Sequence, residues 1–299
     1  MTARLEKQYL EATFYLYPDE PTAANGTAAG GCGFFIAVPV AGTPDRGVLW
    51  AVTNKHVIEG GAWTIRVNTR DGGVAFIDTD DTKWICDPEH DLAVMPLNLS
   101  TDLHEYSWIK YDWLLTKEMA EALDIGPGDP CFTIGRFIRH DGKVRNTPTA
   151  RFGQIAQGCE EPLEGQESYL VEVRSIGGFS GAPVFVWFDM AHGRSSIEGK
   201  IAPDGSVMRN TFAGYPTGPW LLGVNWCMVP AWEPVCDDRG QPLANGWQVP
   251  ANTGMMGVVP SWYLRNMFES GVALSERVRI QNILASRAQI IPIGTTKAD

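Results

Sequence analysis

Short apolar or alternating runs, cut by Gly, Pro, Asn and Asp, recur along the chain and predict β-strands. In the first part they fall at Ala12–Tyr17, Gly33–Val38, Val48–Thr53, Thr64–Asn68, Val74–Ile77 and Leu92–Leu97. A second series falls at Cys131–Phe137, Thr149–Ala156, Tyr169–Arg174, Pro183–Phe188, Leu221–Met228 and Met256–Val259. Between them, residues 98–128 carry a helix-like pattern at Thr116–Leu123 and lead into the turn cluster Gly126-Pro127-Gly128-Asp129-Pro130. The junction between two units is placed there, giving units 1–115 and 116–270. A helix is predicted from Pro260-Ser261 through Trp262, Leu264, Met267 and Phe268, and another at Ser275–Arg287 within a C-terminal extension, 271–299. The pattern alone gives an all-β protein of two units. Residues 189–219, polar and rich in glycine, form a loop long enough to suggest a functional role beside a simple solvated hairpin.

Composition narrows the classes. The chain has 299 residues, 44% of them hydrophobic and 20% charged, as in an ordinary globular protein. A net charge of −11 opposes binding to a phosphate backbone, so no nucleic-acid partner is expected. No apolar run approaches the roughly 20 residues that span a membrane. The N-terminal stretch has no secretory pattern, which predicts a cytoplasmic protein. Cysteines at 32, 86, 131, 159, 227 and 236 include no Cys-x-x-Cys pair. They read as free thiols in a reducing compartment, and no metal or other cofactor is expected.

Three segments carry chemistry. Gly177-Gly178-Phe179-Ser180-Gly181-Ala182-Pro183-Val184-Phe185 sets a serine among glycines ahead of an apolar run. Upstream lie Val52-Thr53-Asn54-Lys55-His56-Val57-Ile58 and His90-Asp91-Leu92-Ala93-Val94. A serine nucleophile needs a base within reach and a partner that orients the base. Here the chain order is His, Asp, Ser. An α/β-hydrolase elbow, Gly-x-Ser-x-Gly, fails at Ala182, and its triad order differs. His90, His104, His140 and His192 have no matching frame.

On these segments the chain resembles the trypsin-like (chymotrypsin-fold) serine proteases. The resemblance implies two six-stranded Greek-key barrels with a C-terminal helix. It implies His56 as base, Asp91 as its orienting partner and Ser180 as nucleophile, with Asp87 the nearest substitute for Asp91. It implies an oxyanion hole from the N–H groups of Gly178 and Ser180. Substrate contacts would come from Arg174, Ser175, Ile176 and Gly177, from Val224, Asn225 and Trp226 on an edge strand, and from a third wall at Gly254–Val259. Arg174 would favour an acidic side chain, or would point to solvent or pair with Glu172 beside an apolar pocket. Phe179 stands where digestive members carry an aspartate that pairs with a new N-terminus, so that route of activation is not expected. The partner implied is a protein or peptide substrate. An activating protein partner remains open, as does a catalytically dormant binding module on the same fold.

Overall fold

Side-chain alternation decides how each strand is used. The computed structural model describes residues 4–27, 30–40, 43–140, 142–174, 177–187, 200–201, 207–208, 219–243, 246–287 and 291–292. The first part contains β1 (Thr13–Tyr17), β2 (Gly31–Val40), β3 (Thr43–Thr53), β4 (Thr64–Asn68), β5 (Val74–Ile77), β6 (Ile85–Cys86), β7 (Ala93–Leu97) and β8 (Ile109–Lys110). Short helices α1 (Lys7–Glu11), α2 (Glu20–Asn25) and α3 (Lys55–Glu59) lie between them. The sheet order is β5-β4-β1-β2-β3-β7-β6, with β8 added to β2.

The second part begins with α4 (Lys117–Ala122), capped by the Thr116 hydroxyl, which accepts the Met119 N–H at 3.2 Å. Then come β9 (Pro130–Gly135), β10 (Thr149–Gln157), β11 (Tyr169–Glu172), β12 (Pro183–Val186), β13 (Lys200–Ile201), β14 (Val207–Met208), β15 (Trp220–Pro234) and β16 (Gln248–Pro260). Six of these close a barrel in the order β10-β11-β16-β15-β12-β9. Helices α5 (Ser261–Glu269) and α6 (Gly271–Arg287) follow, and the short β17 (Ile291–Pro292) pairs back onto β3. The structure is thus mainly strand, a closed barrel and a second sheet with a C-terminal helix pair. The C-terminal extension adds its strand to the first sheet.

The two units share a core. Phe34, Ile36 and Val38 on one face of β2 pack with Trp50, Val52 and Val94, and the same cluster takes in Phe132, Ile134, Phe185 and Val259 of the barrel and Leu264 and Phe268 of α5. The opposite face of the sheet, with Phe35, Leu49, Ala51 and Met95, covers Val57 and Ile58 of α3. β2 is therefore buried on both faces, and a slip of one residue in its register would exchange the two clusters.

Polar latches complete the junction. Arg66 on β4 is fully buried; its Nε donates to Asn146 Oδ1 at 2.7 Å, Nη1 to the Ala23 carbonyl at 2.9 Å and Nη2 to the Gly142 carbonyl at 2.8 Å. Its guanidinium lies 4.9 Å from the centroid of Tyr17, and that of Arg136 lies 4.2 Å from the same ring. Asn146 in turn donates its side-chain amide to the Arg66 carbonyl at 2.7 Å and its backbone N–H to Asn68 Oδ1 at 2.7 Å. Replacing Arg66 by Met leaves these acceptors buried without their donor. It is expected to cost about 3 kcal/mol, read as a lower urea midpoint at an unchanged slope.

Candidate active site

The site forms where the first sheet meets the barrel. His56 stands on α3, a five-residue helix rather than a strand edge, because its flanking Val57 and Ile58 turn into the core beneath β3. Asp91 precedes β7. The Asp91 carboxylate reaches His56 twice: Oδ1 accepts the backbone N–H at 2.8 Å, and Oδ2 lies 2.5 Å from Nδ1. An ionised carboxylate only accepts, so in the neutral imidazole this contact puts the proton on Nδ1 and leaves Nε2 its lone pair. The carboxylate is sheltered, with 14% of the side chain exposed against 47% for His56. The Asp91 carbonyl accepts from Asn54 Nδ2 at 2.8 Å, and its N–H donates to Gln166 Oε1 at 2.7 Å.

Asp87, the substitute considered for Asp91, is engaged elsewhere. It accepts from its own turn, at 2.9 Å from Glu89 N–H and 2.8 Å from His90 N–H, and lies 3.0 Å from His90 Nδ1. Burial opposes its ionisation, but the hydrogen bonds from His90 and Glu89 outweigh it and hold the carboxyl below its usual range. A depressed carboxyl supports the fold above the unfolded value near 3.9 and loses that support as acid protonates it.

Ser180 reaches the seam through backbone. Its carbonyl accepts the N–H of Cys32 on β2 at 2.9 Å. A Cβ on Gly31 would lie 2.9 Å from that carbonyl oxygen and 2.9 Å from Val57 Cγ2, so the serine turn and the residue after His56 meet across Gly31. Gly181 is held at φ +86°, and a Cβ there would come within 2.0 Å of the Cys32 carbonyl oxygen. Only glycine fits that approach. Gly178 is also left-handed, at φ +96°, against the Arg136 carbonyl and Ile138. Among the described residues, neither the Gly178 nor the Ser180 N–H enters a hydrogen bond, which leaves both donors for an oxyanion. Among the same residues no hydrogen bond joins the Ser180 hydroxyl to His56.

Phe179 anchors the turn from below. It is fully buried among Tyr15, Tyr17, Cys32 and Ala182, and its carbonyl accepts from Asn225 Nδ2 at 2.8 Å. Arg151 lies 5.0 Å above its ring and donates through Nη1 to the Arg174 carbonyl. Burial first, then the nearby Arg174 cation, lowers the Arg151 pKa.

The expected substrate residues divide. Val224 is fully buried, paired to Pro183 on one side and Val259 on the other, and its side chain belongs to the core. Asn225 is 1% exposed and serves the nucleophile turn: its carbonyl accepts the Gly181 N–H at 2.9 Å, beside the amide bond to Phe179. Trp226 sits at a bulge in the β15–β16 ladder and donates Nε1 to Ser168 Oγ at 3.0 Å. Gly177 is exposed. Arg174 is exposed and makes no ion pair among the described residues. It lines an open cavity of about 670 Å³ with Phe152, Gln154, Glu172, Thr253 and Gly254, to which His56, Asp91 and Ser180 do not contribute. Ser175, Ile176 and most of 189–219 lie outside the described residues. Asn54, Arg151 and Gln166 carried no local sequence signal, since each acts on a residue distant in the chain.

The cysteines are free thiols. Burial pushes Cys32 and Cys131 up to about 12, and Cys159 and Cys227 up to about 11, so none of these four is an activated nucleophile. Truncating Phe179 to Ala opens a cavity under the serine turn. A loss of about 3–5 kcal/mol is expected, measured by chemical denaturation, together with slower reaction of Ser180 with a fluorophosphonate.

No family model and no curated protein matches the chain. Among solved structures, Deg5 is similar over 74% of this chain and 81% of its own, at 18% identity and a TM-score of 0.43. Human heparin-binding protein is similar over 89% of this chain and 93% of its own, at 9% identity and a TM-score of 0.49. The chain's own architecture is a closed six-stranded barrel beside a second sheet, with a C-terminal helix pair.

Proposed function

We propose that this chain is a serine endopeptidase that cleaves peptide bonds through an acyl-enzyme. The observation that carries the reading is the His56–Asp91 pair, closed by two hydrogen bonds at 2.5 and 2.8 Å where the serine turn crosses the seam. In this reading the Ser180 oxygen attacks the scissile carbonyl carbon while His56 Nε2 takes its proton. The carbonyl oxygen gains charge and is received by the N–H groups of Gly178 and Ser180. Nε2 then gives the proton to the leaving nitrogen as the C–N bond breaks. Water repeats the sequence on the ester and restores the Ser180 hydroxyl. Asp91 keeps the imidazole in the required tautomer and stabilises its charged form. No cofactor enters these steps, and the substrate is a polypeptide.

Arg174 supports an acidic preference in the cavity that it lines, because the exposed cation makes no ion pair among the described residues and a second cation, Arg151, lies beside it. A dormant module on the same fold is the second reading, favoured by the missing hydrogen bond between Ser180 and His56. That bond is often loose before substrate binds, so a chemical test of Ser180 has to decide between the two.

Fluorophosphonate treatment separates the two. Expected is an adduct on Ser180, found by mass spectrometry and lost in Ser180→Ala; an unlabelled Ser180 would sink the protease reading. Asp91→Asn is expected to lower turnover by about 10⁴, the effect known for this triad geometry. In peptide-library profiling, Asp or Glu beside the scissile bond should outrank Lys or Arg, and Arg174→Glu should reverse the order. An unchanged order would remove Arg174 from the specificity site.

A further inference from the structure

The loop before β11 is built to reach the aspartate. Leu163 and Gln166 exchange backbone hydrogen bonds at 2.9 and 3.0 Å around Glu164 and Gly165, both left-handed at φ 49° and 86°. Two successive left-handed residues make a tight hairpin turn, and for Glu164 that conformation is strained. The three side chains after the turn then contact three different elements. Gln166 Oε1 accepts the Asp91 N–H at 2.7 Å. Glu167 Oε2 accepts the Tyr263 hydroxyl of α5 at 2.6 Å. Ser168 accepts from Trp226 on β15.

These contacts close a ring. Tyr263 stacks on His90, with centroids 3.6 Å apart and 24° between the planes. His90 and Asp91 are consecutive, and so are Gln166 and Glu167. Two neighbouring residues of the aspartate loop are thus joined to two neighbouring residues of the barrel loop, once directly and once through Tyr263. Gln166 Nε2 is buried and has no hydrogen-bond partner among the described residues. Leaving a buried donor unsatisfied is costly, so the amide is kept for its oxygen, and that oxygen serves Asp91.

We propose that Gln166 is a positioning residue for Asp91, with Tyr263 and Glu167 as its second attachment. Its bond fixes the peptide plane before Asp91, so that both carboxylate oxygens remain for His56. The catalytic relevance of this role rests on the protease reading; the positioning itself does not. A misplacement of about 1 Å at such a pair can cost about 10²-fold in rate. The titratable groups around the pair are Cys86 and Cys227 on flanking strands, Glu164 and Glu167 on the barrel loop, and Asp87 and His90 on the aspartate's own loop.

The test uses Gln166→Leu, which removes the acceptor at similar size, Gln166→Glu, which keeps it, and Tyr263→Phe, which keeps the stack but not the hydroxyl. One readout is the low-field proton resonance of His56 Nδ1–H, identified by its loss in His56→Ala. The other is the second-order rate of Ser180 labelling by a fluorophosphonate as a function of pH. Gln166→Leu should move the resonance upfield and slow labelling at least tenfold. Gln166→Glu should keep the resonance and most of the rate, and move the acid limb of labelling to higher pH, because an added carboxylate favours the imidazolium. Tyr263→Phe should slow labelling less, and its effect should not add to that of Gln166→Leu. A wild-type resonance in Gln166→Leu overturns the proposal. Should that variant not fold, Gln166→Glu decides: an unshifted acid limb, or an unshifted His56 titration followed by NMR, overturns it. If wild-type Ser180 resists labelling, the protease reading falls while the resonance still decides the role of Gln166.

Discussion

The structure depends on one backbone contact, the Cys32 N–H donated to the Ser180 carbonyl. It fixes the end of β2 against the serine turn, and through β2 it fixes the register of the whole first sheet. Gly31 and Gly181 let the two backbones approach, and the Thr53 hydroxyl takes up the Cys32 carbonyl at 2.8 Å. Side chains cannot substitute for such a contact, since a Cβ at either glycine collides with main-chain oxygen. His56 lies just past β3, which is paired to β2, so sheet geometry helps to set its separation from Ser180.

Apolar burial alone would not define this seam. The core shared by the sheet, the barrel and α5 supplies the driving force, but apolar faces can slide. Polar groups with fixed partners remove that freedom: Asn146 on Arg66, Asn225 on Phe179 and Gln166 on Asp91. Phe179 takes the complementary role. Where a charged residue would need an ionic partner to be buried, a phenyl ring needs only a dry pocket. The turn that carries Ser180 is anchored by this apolar packing and by the Asn225 amide.

Much of the fold was legible because its signals are local. Short apolar or alternating runs located β4 and β5 to the residue, and Thr116 marked the start of α4. The His, Asp and Ser segments were legible because each sits in a glycine-rich or apolar frame that chemistry restricts. The two-residue strands β6, β8 and β17 were not, because they exist only through their partners. Along β15 the side chains of Val224 and Asn225 are both buried, and a bulge follows between Asn225 and Cys227. Gln166 and Asn146 were invisible because a single long-range hydrogen bond leaves no periodicity behind.

The return of β17 to β3 has a consequence for synthesis. Ile291 pairs with Gly47, and Arg277 donates to the Pro39 carbonyl, so α6 and β17 both fasten onto the first sheet. A chain emerging from the ribosome cannot make this pairing until residue 292 has been added. Domains usually fold in the order they are translated; here the first sheet gains its β17 pairing only after the barrel strands have been made. For that interval the β3 backbone at Arg46 and Gly47 lacks the partner that β17 later supplies.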